Sequence, residues 1–243
     1  MLQLERITPQ SSKKIMGILS ILLIFISIFI ISYIVFQYSN QFIPQRYSAL
    51  ISISSHVPML MIPWILIVIK SKTFFPQYLC CSLTKRNIRS LLLICCWLIP
   101  LQALGNVDVL GKPMPNWYVY GPVSIGLQIF FQGFFVGLSE EMLMRPFIHR
   151  TLQQMVPSNF RIIKWNCSLS LIITSLLFGF LHLGNLGHQS IEYTIFQVIY
   201  AIIIGLIIGI YYEKTKSFLG TVILHNSIDF TGVIMVFIAN GFQ

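Results

Sequence analysis

The chain has 243 residues, of which 56% are hydrophobic and only 9% charged, with a mean hydropathy of +0.78. Soluble domains carry about 25% charge, so the balance indicates a polytopic membrane protein and leaves no room for a separate soluble domain beside its spans. The net charge of +9 does not indicate nucleic acid, because the basic residues fall in short clusters between apolar runs rather than on one phosphate-binding face.

In chain order, hydropathy predicts seven membrane helices: Ile15–Phe36, Ala49–Ile69, Ser90–Gly105, Pro122–Met144, Asn166–His182, Ile191–Tyr212 and Phe218–Asn240. Most reach the roughly 20 residues needed to cross a bilayer. The first follows Lys13-Lys14, is too long for a signal-peptide core and is expected to stay as an anchor. The third is short and broken by Pro100, which leaves its second half without a firm assignment. Residues 1–121 form the first three spans, and residues 122–243 form a core of four more. The two parts are expected to make one structural unit.

Five cysteines occur as Cys80-Cys81, Cys95-Cys96 and Cys167. An odd count without CxxC spacing gives neither a disulfide framework nor a zinc site; these are small apolar residues, with Cys80-Cys81 a weak candidate for acylation beside a membrane end.

Lysine and arginine set the direction. With the N-terminus inside, fourteen of the sixteen fall on inner segments, and only Arg46 and Lys112 fall outside. The positive-inside rule therefore predicts a cytoplasmic N-terminus and an outer C-terminus. "GKPMPNWYVYGP", Gly111 to Pro122, reads as an outer loop with interfacial Trp117, Tyr118 and Tyr120.

Few ionisable groups lie within the spans: His56, Glu140, Glu141, His182, Glu192, His225 and Asp229. Charged groups at the bilayer centre cost at least about 2.5–3.5 kcal/mol, so by default they face the bundle interior and mark function. His56 stands alone in span two and Glu192 lies at an interface, so both are assigned structural roles. Glu141 and Arg145 are four apart and share a helix face on which they can pair. Glu140 points about 100° away around the helix. Phe178 and His182 are also four apart, as are His225 and Asp229. A carboxylate, two histidines and a second carboxylate can thus converge on one cavity from three helices. At about 1.5 Å per residue, Glu140 and His225 lie in the inner half and His182 deeper; the three level only if span five starts later or tilts. The expected fold is all-α, a polytopic membrane helix bundle with a conical cavity opening to the cytoplasm.

Three chemistries suit such a set. A glutamate near a histidine can activate water as a general base. A histidine oriented by its i+4 carboxylate can donate to a developing oxyanion. Alternatively, Glu140, His182 and His225 could hold zinc, since two histidines and a glutamate form a known catalytic ligand set, although no HExxH helix is present. Ser139 and Ser227 lack a nucleophile elbow or dyad.

"EEMLMR" (Glu140–Arg145) matches EExxxR, "FGFLH" (Phe178–His182) matches FxxxH, and "HNSID" (His225–Asp229) matches HxxxN/D. In that order, on successive apolar helices, they resemble the CPBP family, which comprises CAAX prenyl proteases and bacteriocin-processing or bacteriocin-immunity proteins and is also called the Abi family. The resemblance covers about Pro122–Asn240. It implies an intramembrane glutamic-type peptidase of the Rce1 kind, once described as a metalloprotease; no cofactor is expected, with zinc as the alternative. Under it, Glu140 activates water with His182 assisting, and His225 and Asp229 form the oxyanion site. Glu141, Arg145 and Phe178 support the site. Many relatives have Asn where this chain has Asp229, and an ionised carboxylate cannot donate as an amide does; Asp229 is therefore expected either to be protonated or to orient His225.

The partners expected are the lipid bilayer and a peptide or membrane-protein segment, such as a leader, a pheromone precursor or a bacteriocin-related chain. The setting expected is a bacterial plasma membrane. The alternatives are a non-catalytic immunity or regulatory protein that binds a peptide or sensor, and a proton-coupled transporter. Against the transporter, no paired Gly/Pro-broken helices appear, and "GLIIG" at Gly205–Gly209 reads as helix packing.

Overall fold

A computed structural model describes residues 9–70, 83–105, 119–157, 159–162, 165–186 and 189–241. The Cys80-Cys81 pair and Trp117 and Tyr118 lie outside these described residues. The protein is an all-α membrane helix bundle. Its helices are α1 (Pro9–Phe42), α2 (Ser48–Lys70), α3 (Lys85–Gly105), α4 (Pro122–Met155), α5 (Leu169–Leu181), α6 (Ile191–Thr215) and α7 (Phe218–Gly241). Within the described residues, α1, α2, α4, α6 and α7 are long and apolar enough to cross a membrane. The shorter α5, and α3 with Lys85, Arg86 and Arg89 in its first turns, fall outside that set.

Three helix boundaries differ from expectation, each for a local reason. The sequence places the end of span four at Met144, but α4 continues past Pro146 to Met155. Proline has no N–H and crowds the carbonyl four residues back; here Leu143–His149 widens into a π-helical turn, and Arg150 N–H bonds Arg145 O, five residues back. Span five was expected from Asn166, but Trp165–Ser168 forms a strand (β2) paired antiparallel with Asn159–Ile162 (β1). The helix then starts at Leu169, with Ser168 Oγ accepting from Leu171 N at 3.0 Å, a serine N-cap. The break expected at Pro100 is absent, and α3 runs through it to Gly105.

Packing proceeds around α4. Helix α1 pairs with α2, α5 with α6, and α7 lies against both α3 and α4. One apolar cluster joins Phe25 and Ile28 of α1, Met59 of α2, Leu143 and Ile148 of α4, and Leu177 and Phe178 of α5. A second joins Leu91 and Leu98 of α3, Ile204 and Ile208 of α6, and Leu224 and Ile228 of α7. The outer faces carry exposed Leu23, Ile30, Trp97, Phe196 and Ile199, as lipid-facing helices do. Glu140, Glu141, Arg145 and His149 are buried in the middle. Polar groups that lipid cannot satisfy are thereby turned inward.

The "GLIIG" segment packs closely, as expected of small residues at a helix interface. A Cβ on Gly209 would meet Leu171 Cδ1 at 2.3 Å and Arg145 Nη1 at 2.9 Å, and one on Gly205 would lie 3.3 Å from Ser175 Cα. These two positions let α5 and the Arg145 guanidinium approach α6.

Candidate active site

Helix α4 supplies the adjacent carboxylates, and the helical 100° step between them separates their surroundings. Glu141 faces Arg145 one turn on: Arg145 Nε donates to Glu141 Oε2 at 2.8 Å, with both side chains wholly buried. Arg145 also donates to the Gly205 carbonyl at 3.2 Å, which ties α4 to α6. The expected pairing is present. Glu141 does more than neutralise the arginine, however, because its Oε1 lies 3.1 Å from His225 Nδ1 on α7. The carboxylate bridges the guanidinium and the imidazole.

His225 is held at both nitrogens. Nδ1 faces Glu141, and Nε2 lies 3.1 Å from Asp229 Oδ2, one turn along α7, and 3.8 Å from Glu140 Oε2. The Phe178 ring packs edge-on against His225 at a centroid separation of 5.4 Å and also contacts the His182 ring at 5.7 Å. Phe178 thus walls both histidines.

His182 sits where α5 tightens into a 3₁₀ turn, and its backbone N–H bonds Gly179 O rather than Phe178 O. The Phe178 carbonyl is left for the side chain, with His182 Nδ1 at 3.2 Å. A carbonyl only accepts, so Nδ1 carries the proton, and in the neutral ring Nε2 is an acceptor.

Glu140 is 8% exposed. Its Oε1 lies 3.3 Å from His56 Nε2 on α2, whereas its buried Oε2 has no hydrogen-bond partner among the described residues. The Glu140, His56, His182, His225 and Asp229 side chains line one cavity of about 360 Å³, together with Gln132, Asn185 and Gln197. The four residues expected to carry the chemistry therefore share one space, and the lone His56, expected to be structural, shares it with them.

A second connection was not visible in the sequence. Asn226 Oδ1 accepts from Gly137 N at 2.8 Å, and Asn226 Nδ2 donates to Phe134 O at 3.1 Å. Phe131–Phe135 is a π turn, which shifts the backbone register and leaves groups to be satisfied from outside the helix. Asn226 takes that place, next to His225, and fixes the register between α4 and α7. A Cβ on Gly137 would fall 2.4 Å from Asn226 Oδ1 and 3.1 Å from His225 Cβ, so the close approach requires glycine.

The serines beside the motifs are occupied: Ser139 Oγ donates to Val136 O at 2.8 Å and Ser227 Oγ to Ile223 O at 2.7 Å. Among the described residues, no three His, Cys, Asp or Glu side chains are grouped to hold a metal ion. His225 has both nitrogens within reach of carboxylates, Nδ1 of Glu141 and Nε2 of Asp229.

Residues 122–231 match the family described as type II CAAX prenyl endopeptidase Rce1-like. This segment belongs to the Rce1-like family. It holds all three motifs, from Glu140 through Asp229, within one matched stretch. No curated protein and no solved structure matches the chain. The Rce1-like family is a protease family, and the five long apolar helices among the described residues make the chain a multi-pass membrane protein. His56 lies outside the Rce1-like segment, on a helix that packs against Val136–Met142. Nothing in the sequence marks it, because 84 residues separate it from Glu140 and only the α2–α4 contact brings the two together.

Proposed function

We propose that the protein is an intramembrane endopeptidase that hydrolyses a peptide bond in a peptide or membrane-protein segment, with Glu140 as general base. The observation that carries this reading is the state of Glu140 Oε2. It is a buried carboxylate oxygen without a hydrogen-bond partner among the described residues, on the wall of a cavity, 3.8 Å from a histidine nitrogen. A buried acceptor left unpaired is costly, and a water on Oε2 would both satisfy it and be held for deprotonation.

The steps balance as an ordinary hydrolysis. Glu140 Oε2 takes a proton from water as the water oxygen bonds to the substrate carbonyl carbon. The negative charge gathers on the carbonyl oxygen, where His225 Nε2–H donates to it. The proton passes from Glu140 to the amide nitrogen, the C–N bond breaks, and an acid and an amine leave. Glu141 holds His225 Nδ1 and so turns Nε2 toward the cavity. His182 Nε2 assists as a second acceptor for the water. Asp229 shares the His225 Nε2–H and yields it as the oxyanion forms.

The supporting test is cleavage of a fluorogenic peptide library by the purified chain in detergent, compared with Glu140→Ala and His225→Ala. Loss of cleavage in both variants, with fold retained, is the expected result. Cleavage that survives in both would end the glutamic mechanism. A chain that cleaves nothing, with a cellular phenotype untouched by Glu140→Ala, would point instead to a binding role.

A further inference from the structure

We infer that His56 is a positioning residue for Glu140, holding Oε1 as a hydrogen-bond donor and so assigning Oε2 to the water. The inference rests on the peptidase reading above and extends the site to a helix beyond the Rce1-like segment.

Donor and acceptor arithmetic supports it. His56 Nδ1 lies 2.8 Å from the Ser52 carbonyl, which can only accept, so Nδ1 bears a hydrogen. Ser55 Oγ, 3.3 Å from the same nitrogen, donates to the Ser52 carbonyl at 2.8 Å and adds no competing donor. With Nδ1 assigned, Nε2 is the atom that meets Glu140 Oε1 at 3.3 Å. Two lone pairs cannot face each other at that distance without repulsion, so one proton lies between nitrogen and oxygen. When Glu140 is the carboxylate that a general base must be, that proton is on His56 Nε2. The imidazolium then donates to Oε1, a charge-assisted bond in a buried setting.

The ring is itself fixed. Phe131 packs against it edge-on, with centroids 5.1 Å apart, and Phe131 opens the π turn that precedes Glu140 on α4. His182 uses Nδ1 on its own helix backbone and makes no hydrogen bond to Glu140. Among the described residues, Glu140 is paired with His56 and, farther away, His225. A carboxylate pinned at one oxygen presents the other in one direction, the condition for holding water at a fixed distance from the substrate carbonyl.

The test uses the full chain in detergent and the library peptide it cleaves fastest. His56→Leu removes the donor at similar volume, and His56→Gln keeps an N–H able to reach Oε1. We expect His56→Leu to lower kcat about tenfold or more with KM little changed, the pattern of a lost transition-state interaction, and His56→Gln to recover most of the rate. Two outcomes would overturn the role: kcat unchanged in His56→Leu, or equal loss in both variants with a matching fall in melting temperature. Glu140→Gln separates the two claims. If it is inactive while His56→Leu is fully active, only the positioning role fails; if it cleaves like the native chain, the peptidase reading fails. A second measurement needs no substrate. In protein labelled with ¹⁵N-histidine, the His56 Nε2 resonance is expected to move on Glu140→Gln, and an unmoved resonance overturns the contact.

Discussion

Arg145 Nε lies 2.8 Å from Glu141 Oε2, and neither side chain has any exposure. Breaking a buried ion pair from one side strands the other charge, at a cost of about 3–5 kcal/mol. Arg145→Ala is therefore expected to lose folded protein rather than chemistry. A thermal-unfolding scan in detergent checks this, with a large drop in midpoint expected. A variant that melts like the native chain would show that the pair does not brace the bundle.

Glu140 is expected to behave in the opposite way from its neighbour. Glu140→Gln keeps shape and removes the base, so kcat should fall by about 10² or more, the range of a lost general base, while the melting midpoint stays near native. The adjacent Glu141→Gln should instead weaken folding, because it loosens both Arg145 and His225. Parallel thermal and cleavage measurements on the two variants decide between them.

Asp229 offers a test of sign. Its carboxylate sits on the His225 nitrogen that faces Glu140 Oε2, where it competes for the N–H that an oxyanion needs. Asp229→Asn removes that competing charge and adds an amide donor. Cleavage by this variant is expected to equal or exceed the native rate. A loss of about tenfold or more would mean that the carboxylate is needed to hold His225.

Gly137→Ala puts a methyl 2.4 Å from Asn226 Oδ1. The clash should separate α7 from the π turn of α4 and leave Gly137 N–H unpaired, at about 1–3 kcal/mol. Asn226→Ala should lower stability by a similar amount without the clash. Together the two should cost less than the sum of each alone, since they break one shared contact; a double-mutant cycle on melting free energies measures this.

Much of the protein follows from the order of residue types. Long apolar runs demand helices whose backbone groups are satisfied internally, and the i+4 spacings put Glu141 with Arg145 and His225 with Asp229 before any tertiary contact exists. The motif residues Glu140, His182, His225 and Asp229 could be named because ionisable groups stand out against hydrocarbon. The sequence did not show how these groups are shared. Glu141 bridges Arg145 and His225, Asn226 reaches the backbone of α4, and His56 meets Glu140. Each of these contacts spans more than eighty residues and depends on how two helices lie against each other. That placement is set by the π turns around Phe131 and Pro146 and by the close approach at Gly137 and Gly209. Periodicity assigns a residue to a face of its own helix; only packing selects the face it meets, and here packing brought His56 to Glu140, the member of the adjacent pair that does not bond Arg145.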